Sequence, residues 1–199
     1  MTGSLTLRTL TGGHIAPVID DLAGLRISVF RDWPYLYAGD RDYEAWYLER
    51  FSKAQDAVLI AAFDGEALVG ASSGLPLDQE MDEFRAPFEA AGYDIVPIFY
   101  FGESVLLPAY RGQGIGHAFF DGREAHARRL ERFARATFCR VVRDPQDPRA
   151  PAGYRPLDTF WRGRGYIPMS DVRTAFPWKE IGADQETEKA MEFWIRDLS

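Results

Sequence analysis

Thiols and imidazoles are scarce in this chain. Cys139 is the single cysteine among 199 residues, which excludes an intrachain disulfide and a thiolate metal site. It lies in the apolar stretch TFCRVV and reads as a buried small hydrophobe rather than a catalytic thiol. The three histidines, His14, His117 and His126, lack ligand spacing, since the last two stand nine residues apart and on a helix are about 180° out of phase. No metal is expected. Long hydrophobic runs are also missing: no stretch reaches the roughly 18 apolar residues of a membrane span, and the start MTGSLTLR has neither the charged nor the apolar part of a signal peptide. A cytoplasmic location is the expectation. Positive charge is in deficit, with a formal net charge of −7; this argues against nucleic acid or an anionic membrane as partner and leaves room for a cationic substrate. No internal repeat or low-complexity segment is present.

What is there suits one globular domain over residues 1–199, because 46% hydrophobic and 14% aromatic residues can build one good core. Leu5 to Thr9 alternates as a strand, and Ile15 to Phe30 carries Ile15, Ile19, Leu22, Leu25 and Val29 on one helical face. Pro34 interrupts. Asp40 is a good N-cap for a second helix over about Arg41 to Ser52. Asp64-Gly65 between the apolar runs 56–63 and 67–75 signals a hairpin. A short helix over 80–91, a strand from Ile95 to Leu107, a helix from Gly114 to about Phe133, a strand from Thr137 to Val142 and a short helix from Leu157 to Arg164 follow. The helix after Gly114 ends among Arg128, Arg129, Arg132 and Arg135, which suit the negative end of its dipole. The segments VRTAFPWKEI and KAMEFWIRDL alternate well enough for a closing hairpin; the second is ambiguous with a helix, and strand is the reading adopted.

The most informative segment is VLLPAYRGQGIG, from Val105 to Gly116. It joins an apolar strand to a glycine-rich loop and a helix. Gly112, Gly114 and Gly116 allow a tight turn and a close ligand approach, while the first N–H groups of the helix stay unpaired at the positive end of its dipole, a place where phosphates bind. A glycine turn of this kind could also be a dinucleotide fingerprint or a phosphate loop, but neither G-x-G-x-x-G nor G-x-x-x-x-G-K-[ST] is present.

What stands is Arg111-x-x-Gly114-x-Gly116 preceded by Pro108 and Tyr110, and it closely resembles the coenzyme A signature of the GNAT acyltransferase superfamily. FWRGRGY (160–166) is similar to the signature on that superfamily's last helix, and the order of elements agrees over nearly the whole chain. The resemblance implies an α+β, three-layer fold, with a central mixed, mostly antiparallel seven-stranded sheet flanked by helices and splayed between strands four and five. It further implies that backbone groups of Val105, Leu106 and Leu107 hold the pantetheine arm of acetyl-CoA. The pyrophosphate would sit on the amides of Gly112, Gln113, Gly114, Ile115 and Gly116, with Arg111 adding charge.

Acyl transfer to an amine needs a neutral nucleophile, a stabilised oxyanion and an outlet for the thiolate. Glu103 is the candidate base, being the only acidic residue on the fourth strand; period two puts it on one face with Val105 and Leu107, unless a bulge near Gly102 shifts the phase. An exposed or salt-bridged glutamate is the competing reading. The Leu106 N–H would meet the oxyanion. Many relatives carry an acidic tyrosine on the last helix where Trp161 stands here; indole is a donor but no useful acid, so the thiolate leaves unaided or another group such as Tyr154 takes the part. Trp161 would still flank the pantetheine arm.

Eight aromatic residues fall between Phe30 and Phe51, more than twice the chain average of 14%. Core filling accounts for Trp46 and Phe51 and in part for Phe30. The loop PYLY (34–37) is where the resemblance places an acceptor wall, so Phe30, Tyr35, Tyr37 and Glu103 are the candidate acceptor-binding residues, able to hold an amine by hydrogen bonding or cation–π contact. The stretch 76–94, where relatives have a tight turn, reads as an insertion and a candidate lid, its Asp78, Glu80, Asp82, Glu83, Glu89 and Asp94 forming a solvated acidic face. The expectation is an N-acetyltransferase moving an acetyl group from acetyl-CoA to an amine of a small molecule or peptide. The alternatives are a non-catalytic acyl-CoA-binding module and an acyltransferase with a different acyl group or acceptor. A homodimer stays open.

Overall fold

The computed structural model describes residues 4–198. Seven strands form one open sheet in the order β1-β2-β3-β4-β5-β7-β6. They are β1 Leu5–Thr11, β2 Val58–Asp64, β3 Ala67–Pro76, β4 Ile98–Leu106, β5 Arg135–Val141, β6 Ile167–Trp178 and β7 Thr187–Asp197. Every neighbouring pair is antiparallel except β4 with β5. Two buried clusters flank the sheet. One packs α1 (Ile19–Phe30), α2 (Arg41–Lys53) and α3 (Asp82–Ala90) on one face, and the other packs α4 (Ile115–Arg129) and the residues around α5 (Asp158–Gly163) on the opposite face. The three-layer α+β fold expected from the sequence is the fold observed.

Local chemistry explains most boundaries. Asp40 caps α2 through its carboxylate, which accepts from Asp42 N and Tyr43 N at 2.9 Å each. Gly65 turns the β2–β3 hairpin at a φ of +62°. The first helix begins at Ile19 rather than Ile15, because Pro17 sits in a separate 3₁₀ turn over Ala16–Val18. The helix after Gly114 stops at Arg129, where Glu131 takes a φ of +54°, so Arg132 and Arg135 lie beyond it. The final ambiguous segment is a strand, β7, paired on both sides.

Two irregularities position the site. First, β4 and β5 pair only over Ile98–Tyr100 and Arg135–Thr137, and beyond Tyr100 the strands part. Second, β4 bulges: Ser72 lies opposite Ser104 but Gly74 opposite Phe101, so Gly102 and Glu103 together face the single residue Ser73. Phe99 and Phe101 point to the α4 side and Ile98 and Tyr100 to the α1 side. Strict alternation would put Glu103 with Phe101. The extra residue flips the phase, so Glu103 and Val105 share the α1 side, where Arg26 meets Glu103. A Cβ on Gly102 would lie 2.5 Å from Ser73 Oγ and would push that hydroxyl off its bond to Glu103 N.

The 76–94 stretch is part of the core rather than a loose cover. Phe84 stacks on Phe176 at 5.5 Å, Phe88 meets Phe193 edge-on at 4.9 Å, and Thr174 Oγ1 donates to Glu83 O at 2.7 Å. Asp82, Glu83, Glu89 and Asp94 face solvent as expected, but Glu80 turns inward and is 3% exposed. Trp46, expected to pack, is 53% exposed on α2. Because Phe88 is fully buried, Phe88→Ala is expected to lower the free energy of unfolding by about 3–5 kcal/mol in urea titration; a cost below about 1 kcal/mol would return α3 to the role of a detachable lid.

Candidate active site

One cavity of about 670 Å³ runs from the glycine loop at the β4–β5 gap to the aromatic residues between α1, α2 and β6. Its first end is built from backbone. Gly112 and Gly114 have φ of +77° and +82°, and a Cβ on either would meet nothing within 4 Å, so the loop borders open space. No side chain caps α4, and the amides of its first turn remain available to an anion. Leu107 N donates to Val69 O at 3.0 Å. Antiparallel alternation then turns the N–H and C=O of Leu106 away from β3 and into the gap, and those of Val105 toward β3. Of the three expected edge residues, Leu106 therefore presents its backbone to the gap, while Leu107 has its N–H committed and Val105 is buried under α1. Arg111, expected beside the pyrophosphate, donates from Nε to Leu106 O at 3.2 Å.

Arg123 of α4 is fully buried beneath the bulge. It donates to Phe119 O, Ser73 O and Glu103 O at 3.3, 3.2 and 3.4 Å, and its guanidinium lies 4.2 Å from the Phe101 ring centre. Burial lowers its pKa to about 10, which leaves it charged at neutral pH.

At the other end Glu103 is 6% exposed and its Oε2 accepts from Arg26 Nη1 at 2.5 Å. The same guanidinium donates from Nε to Glu44 Oε2 at 2.5 Å. Burial raises the Glu44 pKa, and Arg26 and the Tyr37 hydroxyl pull it back only in part. Burial works against the Arg26 charge, but Glu103 and Glu44 outweigh it and raise its pKa. Glu103 is thus salt-bridged and buried rather than exposed, and its Oε1 has no hydrogen-bond partner.

The loop between α1 and α2 walls this end. Phe30, Tyr35 and Tyr37 all line the cavity. Arg143 holds the loop by donating to Pro34 O and Tyr35 O at 2.6 and 3.0 Å, Trp178 Nε1 donates to Tyr35 O at 2.9 Å, and Tyr37 bridges to Glu180. Tyr154 and Trp161 line the cavity too. Tyr154 meets Trp33 edge-on at 6.0 Å, and burial raises the pKa of its hydroxyl; Trp161 packs on Phe138 and Trp194 at 5.0 and 5.2 Å. Cys139 also lines it, but burial pushes its thiol up to about 12, so it stays protonated. Among the described residues no group of three or more His, Cys, Asp or Glu is placed to hold a metal ion, and no helix is long and apolar enough to cross a membrane.

The model of the acetyltransferase (GNAT) family matches residues 24–152. The chain belongs to that family. No curated protein matches the sequence. Solved structures share the fold at low identity. A ribosomal-protein-alanine N-acetyltransferase from Brucella melitensis superposes with a TM-score of 0.61 at 13% identity, over 96% of this chain and 99% of that one. NAA60 from Arabidopsis thaliana, in complex with a bisubstrate analogue, gives 0.64 at 11% identity over 98% and 100%. An aminoglycoside 6'-N-acetyltransferase complexed with coenzyme A gives 0.60 at 15% identity over 96% and 97%.

Several charged residues at the site or coupled to it had no signal in the sequence. Arg26 and Glu44 sit on helices as ordinary charged residues, and only the fold brings them to Glu103. Glu80 looked like one more solvated acid. Burial raises its pKa to about 7 although Met81 N–H and Arg50 oppose the shift; Glu103 adds to the rise and Arg26 counters it. The folded chain therefore holds a proton that the unfolded chain, with an ordinary value of 4.5, releases. The stability this gives is fully present below about pH 4.5 and is lost as pH rises through about 7, a change of about 3 kcal/mol. Glu80→Gln is expected to remove that part of the slope when unfolding is measured at pH 5 and 7.5, and an unchanged slope would put the carboxyl back in water. A second outcome concerns the cradle. Gly116 is helical and a Cβ there would meet only Phe160 at 3.8 Å, so Gly116→Val should fold but lose coenzyme A affinity by roughly 100-fold or more; unchanged affinity by calorimetry would refute the cradle.

Proposed function

We propose that this acetyltransferase moves the acetyl group of acetyl-CoA to the amine of a small molecule or peptide. The carrying observation is that one cavity joins an open glycine cradle and a sheet edge at Leu106 to a buried carboxylate, Glu103, with an oxygen left free. The coenzyme A and bisubstrate analogue bound in two of the structural neighbours support the same reading.

In this reading the amides of Gly112, Gln113, Gly114, Ile115 and Gly116 take the pyrophosphate. Pantetheine pairs with the backbone of Leu106. Pairing at the Leu106 carbonyl displaces Arg111 from it and frees that charge for phosphate. Leu106 N–H also faces the gap where negative charge develops on the acyl oxygen. An alkylammonium with pKa near ~10 costs roughly 4 kcal/mol to deprotonate at pH 7, and Glu103 Oε1 accepts that proton while Arg26 fixes Oε2 and hence the direction of the free oxygen. Trp161 packs along the pantetheine arm. Tyr154, whose side chain lines the cavity from the loop before α5, is assigned as the proton donor for the departing sulfur.

Trp161 in place of a tyrosine gives one observation in favour of a second reading, an acyl-CoA-binding module without turnover. Release of free coenzyme A in the presence of amines separates the two, because a module binds and releases nothing. Glu103→Gln keeps the shape and the Arg26 contact, so kcat should fall roughly 10²-fold near pH 7 and recover in part at high pH, with acetyl-CoA affinity within about threefold. Wild-type turnover with an unaltered pH profile would mean that the amine arrives neutral and Glu103 is structural. Trp161→Tyr should raise turnover if the missing acid limits the rate.

A further inference from the structure

The acceptor end of the cavity holds an imbalance that the acetyl transfer itself does not require. Glu44 is 0% exposed and Glu103 6%, yet both line the cavity; Glu103 leaves its Oε1 without a hydrogen-bond partner, and Glu44 has, besides Arg26, only the Tyr37 hydroxyl beside it. One guanidinium, Arg26, serves both carboxylates through their Oε2 atoms. With both carboxylates ionised, the trio carries one negative charge in excess.

Four other arginines line the cavity without cancelling that excess. Arg140 is paired with Asp158 and Glu192. Arg123 spends its donors on backbone carbonyls. Arg111 is exposed at the glycine loop, on the Leu106 carbonyl. Arg155 is exposed on the loop before α5.

Buried carboxylate oxygens left unpaired are costly, and a partner that brings both charge and several N–H donors removes the cost. A primary ammonium does this; a neutral alcohol does so poorly, and an anion is repelled. The body that carries the ammonium faces rings. Tyr43 and Tyr47 lie parallel at 6.1 Å, Tyr43 meets Phe176 at 6.4 Å, and Phe84 stacks on Phe176, all in the cavity wall. Among the described lining residues Trp33 Nε1 is the one buried donor without a partner. The other polar groups of this wall are chiefly tyrosine hydroxyls at the ring tips, so the ring faces suit an aromatic body better than the many hydroxyls of a polyhydroxylated amine or the amides of a peptide.

Resting on the acetyltransferase reading, we infer that the acceptor is a primary arylalkylamine whose ammonium is received by Glu44 and Glu103 across Arg26, with Glu44 the positioning residue. The ammonium gives one proton to Glu103, which passes it to solvent. As the C–N bond forms and the C–S bond breaks, the second proton ends on the sulfur, so the products are the amide and the free thiol.

The test titrates wild-type protein loaded with coenzyme A with 2-phenylethylamine, 2-phenylethanol, an aminoglycoside and an alanyl peptide, and measures coenzyme A release from acetyl-CoA with each amine. Phenylethylamine should bind at least about tenfold more tightly than phenylethanol and be turned over with a higher kcat/KM than the aminoglycoside or the peptide. Glu44→Gln should raise KM for phenylethylamine about tenfold or more with kcat within about threefold, whereas Glu103→Gln lowers kcat. Equal binding of the amine and the alcohol, better turnover of the aminoglycoside or the peptide, or an unmoved KM in Glu44→Gln would each overturn the inference. If Glu44→Gln does not fold, the wild-type ligand comparison decides alone. Coenzyme A affinity measured without amine keeps the two levels apart: its absence defeats the acetyltransferase reading, while its presence with no amine preference defeats only the acceptor class.

Discussion

The parallel pairing of β4 with β5 ends after three residues, and the rest of the site depends on that. A strand released from its neighbour exposes backbone donors and acceptors that cost free energy unless something pairs with them. Here β4 remains anchored to β3 on its other side, so the release turns only alternate residues toward the gap, and Leu106 is the one beside the glycine loop. The gap and the loop are consecutive in the chain. A ligand with amides and phosphates can therefore satisfy both at once, which neither an ordinary loop nor an intact sheet could offer.

The bulge at Gly102 and Glu103 is the second half of the same device. Without the extra residue, the only acid of β4 would point into the phenylalanine cluster under α4. With it, Glu103 turns toward α1 and its carbonyl is pinned by Arg123 and by Ser72 Oγ at 3.2 Å. An arginine buried without a carboxylate partner is unfavourable for stability alone. Its hydrogen bonds to Ser73 O and Glu103 O hold the two strands where the ladder is broken, so the cost is offset by fixing the bulge that aims the carboxylate.

Much of this was legible in the sequence because it is local. The glycine spacing from Arg111 to Gly116, the Asp40 cap and the Asp64-Gly65 turn each act within a few residues, and each appears where its chemistry requires. The bulge near Gly102 was foreseeable as a change of phase, but its consequence was not, because it depends on what Ser73 does on the next strand. The Arg26, Glu44 and Glu103 trio was illegible, since its members come from α1, α2 and β4 and any of them alone is a common charged residue. Glu80 and Trp46 went wrong in opposite directions for one reason: side-chain polarity sets a preference for water, but the packing of α3 against β6 and the outer face of α2 decide who reaches it.

The substitution at the usual acid position fits the same pattern of local chemistry ruled by neighbours. A tyrosine hydroxyl placed where Trp161 stands would face Phe138 and Trp194, which offer rings and no hydrogen-bond acceptor at that contact. Indole fills this corner with a larger apolar area and needs less from its surroundings. Tyr154, one of several tyrosines that line the cavity, belongs to the loop before α5 and rests on Trp33, next to the wall that Arg143 braces. The proton donor proposed above thus sits on a loop beside the acceptor wall rather than on the helix.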